Sequence, residues 1–126
     1  RIDLAELSAP EHADVALAFW INLYNALVVD STIQMGKPKT AMQRGSYFNS
    51  AAYSVGGYQF SLNDIEHGIL RCNAKPVGSL RPRFGKSDPR TAFSRPGPVD
   101  PRLHCALNCG ARSCPVVRLY TPEAVQ

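Results

Sequence analysis

From about Ala9 to Thr32 the chain carries apolar side chains on every side of a helix: Ala16, Leu17, Ala18, Phe19, Trp20, Ile21, Leu23, Tyr24, Ala26, Leu27, Val28 and Val29. A surface helix keeps one polar face; this one has none, so it has to sit at the centre of whatever fold forms around it. Ser8 followed by Glu11 reads as a capping box at its start, with Pro10 tolerated in the first turn. Gly36 and Pro38 end the helical region. Only Asn22 and Asn25 interrupt the apolar run, three residues apart and therefore on one face. A buried amide without partners costs about 1–3 kcal/mol, so both need hydrogen bonds. Either they tie down neighbouring loops, or they line a site and orient a catalytic partner or a substrate amide.

At 126 residues the chain is read as a single domain, 1–126, long enough to bury roughly two-thirds of its unfolded surface. Residues 37–50 carry no firm signal. Tyr53 to Val55 and Tyr58 to Phe60 flank Gly56-Gly57, the signature of a two-residue β-hairpin. Ser61 then caps a short helix, Leu62 to Arg71, with Leu62, Ile65 and Ile69 as its buried stripe. Residues 72–102 form a long Pro-rich loop. Leu103 to Leu107 reads as a buried strand, Asn108-Cys109-Gly110 as the turn that ends it, and Val116 to Tyr120 as a second strand. The expected fold is α+β: a long central apolar helix on a small antiparallel sheet containing the hairpin and the two C-terminal strands. Arg1 starts the chain without a Met, and Thr121-Pro122-Glu123 announces a helix that stops at once. The sequence therefore reads as a fragment truncated at both ends, with no apolar run expected to span a membrane.

The net charge of +4 is concentrated in that loop, where Lys75, Arg81, Arg83, Lys86, Arg90, Arg95 and Arg102 face only Asp88 and Asp100. These basic residues alternate with Pro and Gly, not with aromatic stacking groups, which argues for a solvated basic loop over a nucleic-acid surface. The partner expected for such a loop is a protein or peptide.

Three of the four cysteines lie between His104 and Pro115: Cys105, Cys109 and Cys114. A zinc site usually shows a tighter cysteine pair and a second pair elsewhere, so no metal and no cofactor is assigned. A nucleophilic thiol needs a base, a lowered pKa and backbone donors for an oxyanion. Cys109, on the turn, ranks first as nucleophile and Cys114 second; a Cys109–Cys114 disulfide is the competing reading. Cys105 is placed in the core, and Cys72 either pairs with it or is free. His67 is a better base than His104, which precedes Cys109 by five residues of extended chain. Glu66 points about 100° away from His67 on an α-helix, so Asn63 or Asp64 would orient the imidazole more easily. Oxidised cysteines would favour an extracytoplasmic location.

Three blocks in order, Phe19 to Leu27, Ser61 to Arg71 and Ala106 to Pro115, resemble domain-of-unknown-function family 547, over most of residues 17–123. Bacterial members often look exported, and in plants and animals the domain ends larger proteins. The resemblance implies a Cys, His and Glu constellation like that of papain- and transglutaminase-like thiol hydrolases. By position it falls on Glu66, His67, Cys109 and Cys114, supported by Asn22, Asn25, Arg71, Asn108 and Ser113. Cys72 and Cys105 lie outside the pattern, as an additional disulfide would. Two functions follow as expectations: a cysteine-dependent hydrolase or acyl transferase acting on amide or peptide bonds, and a non-catalytic protein-interaction module with a structural disulfide in the cysteine turn.

Overall fold

The computed structural model describes residues 2–126. A short helix, α1 (Leu4–Leu7), is capped by Asp3, whose carboxylate accepts the N–H groups of Ala5 and Glu6. Ser8 therefore closes α1 and does not open the long helix, and the expected Ser8–Glu11 capping box does not form. A 3-10 turn at Pro10–His12 leads into α2, Ala13–Met35. Then follow α3 (Ala41–Ser50), β1 (Ala52–Val55), β2 (Tyr58–Ser61), a π-helix (Asp64–Leu70), a 3-10 turn (Pro89–Phe93), α4 (Leu103–Ala106) and a last 3-10 turn (Pro122–Val125).

The central role of α2 follows from its composition. Trp20 and Tyr24 are buried in one cluster with Phe60 of β2, Ile65 and Ile69 of the π-helix, and Phe84. Trp20 meets Phe60 edge-on at 5.3 Å between ring centroids. Each such side chain contributes about 1.5–3 kcal/mol of burial, so this cluster dominates the core. By length and composition the stretch Pro10–Met35 is apolar enough to cross a membrane, with mean hydropathy 1.3, contrary to the sequence expectation; half of that window is buried inside this domain.

The hairpin forms as expected: Val55 pairs with Tyr58 and Ala52 with Ser61, and Gly56 and Gly57 both adopt positive φ (58° and 89°) in the turn. The fold is α+β, but the sheet has only these two strands among the described residues. Leu103–Ala106 is helical because Leu103 and Leu107, four apart, are both buried, and because the Asp100 carboxylate accepts the Arg102 N–H at the start of the turn. The segment 116–120 has no strand partner, and Val116 and Leu119 are more than 80% exposed. Helix α3, which carried no firm signal, is opened by Thr40, whose side chain accepts the Gln43 N–H.

The basic loop is largely fastened down. Asp64 accepts from Arg83 and Arg90, and Arg90 also lies over the Phe84 ring, 4.6 Å from its centroid. Phe84 is locked by Asn73, whose side chain accepts the Phe84 N–H (2.7 Å) and donates to its carbonyl (3.0 Å). The Phe84 ring packs so closely on Gly68 that a Cβ at that position would lie 2.2 Å from Phe84 Cζ.

Candidate functional site

The cysteine turn is held by the two asparagines of α2. Asn25, 2% exposed, accepts the Asn108 N–H with Oδ1 at 2.8 Å and donates through Nδ2 to the Ala106 carbonyl at 2.9 Å. Asn22 does the same for one residue further on, accepting the Tyr120 N–H (2.8 Å) and donating to the Tyr120 carbonyl (2.7 Å). Each side-chain amide satisfies one backbone donor and one acceptor, as a neighbouring strand would. Of the two readings of these residues, loop anchoring is the one observed. Because they are three apart on one helix, α2 grips the loop at both ends, before Cys109 and after Cys114.

Inside this clasp the loop closes on itself. Asn108 Oδ1 accepts the Gly110 N–H at 2.8 Å, and its Nδ2 donates to the Pro115 carbonyl at 3.0 Å. Gly110 takes φ of 75°, so the backbone curls and turns its N–H groups inward. The Cys109 N–H donates to Cys114 Sγ at 3.2 Å, and the two sulfurs are 3.1 Å apart. No disulfide is present; all four cysteines are free thiols. Burial pushes the Cys114 thiol up, but the Cys109 thiol and the backbone N–H groups of Cys109, Gly110 and Ala111 outweigh it, and its pKa falls below 9.0. Cys109 moves the other way: burial raises it and Cys114 adds to the rise, against only partial opposition from the Ala111 backbone N–H and then Arg44. The two thiols of the pair are thus shifted in opposite directions, Cys114 down and Cys109 up.

Glu66 faces the same region. Its carboxylate accepts the Tyr24 hydroxyl at 3.0 Å and pairs with Arg71 Nε at 3.0 Å. Burial first, then the Glu66 charge, hold the Tyr24 hydroxyl far above its usual pKa of 10.0, so it stays a donor. On an α-helix residues 66 and 71 would diverge; the π-helix bonds Arg71 N–H to the Glu66 carbonyl, five back, and stacks the two side chains. Glu66, Cys109, Arg44, Asn63 and Phe48 line an open concavity of about 400 Å³. Asn63 also donates to Asn49 Oδ1 at 3.1 Å.

His67 does not line that concavity. It is half-buried; burial lowers its pKa below 6.5, Glu66 opposes, and Arg71 and Arg83 add to the lowering. Ser113 lies exposed at the loop tip. Cys105 is exposed, not in the core, and edges a separate apolar cavity of about 200 Å³; Cys72, at φ 58°, points its thiol to the Pro98 carbonyl at 3.5 Å. Among the described residues no three His, Cys, Asp or Glu side chains gather as metal ligands. Sequence reasoning missed Tyr24 and Arg44 as neighbours of Cys109. Tyr24, one residue before Asn25 on a helix apolar all round, was a polar tip in need of a partner.

Fold and site together define an α+β domain built on one central helix that clasps a paired-thiol loop. The family model described as "Protein of unknown function, DUF547" matches residues 9–126, and the chain belongs to that family. Nothing matches it among the curated proteins or the solved structures.

Proposed function

We propose that the domain is a cysteine-dependent hydrolase or acyl transferase acting on amide or peptide bonds, with Cys114 as nucleophile. The observation that carries this reading is the Cys109 N–H on Cys114 Sγ with the second thiol 3.1 Å away. Backbone donors and a neighbouring S–H stabilise a thiolate without a histidine. Cys114 attacks the carbonyl carbon, the C–N bond breaks, and Cys109 S–H gives its proton to the departing amine. Water, or an acceptor amine, then takes the acyl group from Cys114 while its proton returns to the Cys109 thiolate. Glu66 and Asn63 line the concavity beside Cys109 as acceptors for substrate N–H groups. The scheme needs no histidine base; His67, the base expected from papain-like enzymes, lies outside the lining of this concavity.

Incubation with an activated acyl probe and peptide mapping tests it. The acyl group should be trapped on Cys114, and Cys114→Ser should abolish trapping while Cys105→Ser does not. Labelling at Cys105 alone refutes the proposal.

A protein-interaction module is the second reading, favoured by the exposed Val116 and Leu119 on a segment that belongs to no helix or strand. Such a segment offers backbone groups for strand addition to a peptide partner. In that reading, replacing both residues by Ser removes binding and leaves acyl trapping unchanged.

A further inference from the structure

We propose that Cys109 and Cys114 form a reversible dithiol–disulfide couple that exchanges with small anionic disulfides. The two sulfurs, 3.1 Å apart, need approach by only about 1 Å to reach bonding distance. The loop between them is built to allow it: it is exposed at Arg112 and Ser113, and Gly110 gives it a positive-φ hinge. Meanwhile Asn25, Asn22 and Asn108 hold its two stems in place, so closure involves the loop tip and not the fold.

The two thiols differ in the way exchange requires. Cys114 Sγ receives the Cys109 N–H, which favours a thiolate there; Cys109 is the partner that stays protonated until needed. The Cys114 thiolate attacks one sulfur of the incoming disulfide, the S–S bond breaks, and one thiolate leaves, taking up a proton. Cys109, losing its proton to solvent, then attacks Cys114 Sγ in the mixed disulfide and expels the second thiol. Two protein thiols are oxidised and one disulfide is reduced to two thiols.

Charge around the loop selects the substrate. Arg44 Nη1 donates to the Cys109 carbonyl at 3.3 Å, and Lys37 reaches Gly110, its Cε 3.8 Å from where a Cβ would stand. A disulfide bearing carboxylates, such as oxidised glutathione, is drawn to this rim; a dicationic one such as cystamine is repelled.

The inference rests on the thiol pair and not on acyl transfer, so the two fail separately. The test uses the whole chain with Cys72→Ser and Cys105→Ser, treated with oxidised glutathione and followed by intact mass and peptide mapping. The protein should lose two hydrogens, release two equivalents of glutathione, keep no adduct, and yield a Cys109–Cys114 disulfide that reduced glutathione reverses. Adding Cys109→Ser should leave a lasting glutathione adduct on Cys114. Cystamine should react about tenfold more slowly at low ionic strength, the gap closing with salt. A persistent adduct without Cys109→Ser, or a mapped linkage other than Cys109–Cys114, overturns the couple whatever the variant does. Equal rates for the two disulfides overturn the anionic preference. Acyl trapping on Cys114 without disulfide formation removes the couple and leaves acyl transfer standing; disulfide formation without trapping does the reverse.

Discussion

Replacing Asn25 by Ala removes both hydrogen bonds that fix the entrance of the cysteine loop: the one from the Asn108 N–H and the one to the Ala106 carbonyl. A backbone group stripped of its partner costs about 1–3 kcal/mol when fully buried. Asn108 and Ala106 are only half-buried, so water reaches them in part and the lower end of that range applies to each. Two such groups give about 2–3 kcal/mol, a large share of the ~5–15 kcal/mol typical of a domain. Asn25→Asp is the sharper variant. It keeps an oxygen to accept the Asn108 N–H but loses the donor and sets a carboxylate oxygen against the Ala106 carbonyl, so its cost should equal or exceed that of Asn25→Ala. Urea unfolding reads both, with the single tryptophan, the buried Trp20, as fluorescent probe. If Asn25→Ala costs less than about 0.5 kcal/mol, within the range of an unremarkable surface change, the amide is not what holds the loop.

The same clasp predicts that Asn22→Ala destabilises by about 1–3 kcal/mol and that proteolysis begins between Pro115 and Tyr120, as mapped by mass spectrometry. Gly68→Ala forces a Cβ to within 2.2 Å of Phe84 Cζ and should cost about 1–3 kcal/mol in urea unfolding; adding Phe84→Leu should recover part of it. Asp64 gives a pH dependence. Burial raises its pKa, but the Ser61 N–H, Arg83 and Arg90 outweigh it and leave the carboxyl below 3.8 when folded. The stability it contributes is therefore present above the unfolded value and is lost as pH falls from about 4 through the lower folded value. Asp64→Asn should be less stable at neutral pH and lose less on acidification, as stability curves from pH 7 to 2 would show; parallel curves for the two proteins would contradict this.

Local patterns made part of this molecule readable. The all-round apolar run predicted α2 at the centre, and alternation around Gly56-Gly57 predicted the hairpin with its register. Helix α3 gave no firm signal, because its Thr40 cap stands before a short segment without a clear apolar stripe. Leu103 and Leu107 illustrate an ambiguity: two buried leucines four apart in a five-residue run fit a helical turn as well as a strand. The loop 72–102 resisted reading because its partners are distant: Arg83 and Arg90 fold onto Asp64, and Phe84 onto Gly68. The π-helix has no local signature; its winding is visible only in the pairing of Glu66 with Arg71. At the site, chain order placed the cysteines on a turn and the asparagines on one helix face. That the Cys109 N–H reaches Cys114 Sγ depends on the curl at Gly110, and that is a property of the folded backbone.

The most direct test of the account is the pH dependence of alkylation, with Cys109 and Cys114 quantified separately by peptide mapping in the Cys72→Ser, Cys105→Ser chain. The structure predicts that Cys114 reacts first in the folded protein, with a midpoint below 9.0, and that Cys109 reacts only at higher pH. Preferential reaction of Cys109, or reaction of both thiols only after unfolding, would contradict the proposal that this loop presents Cys114 as an activated thiolate.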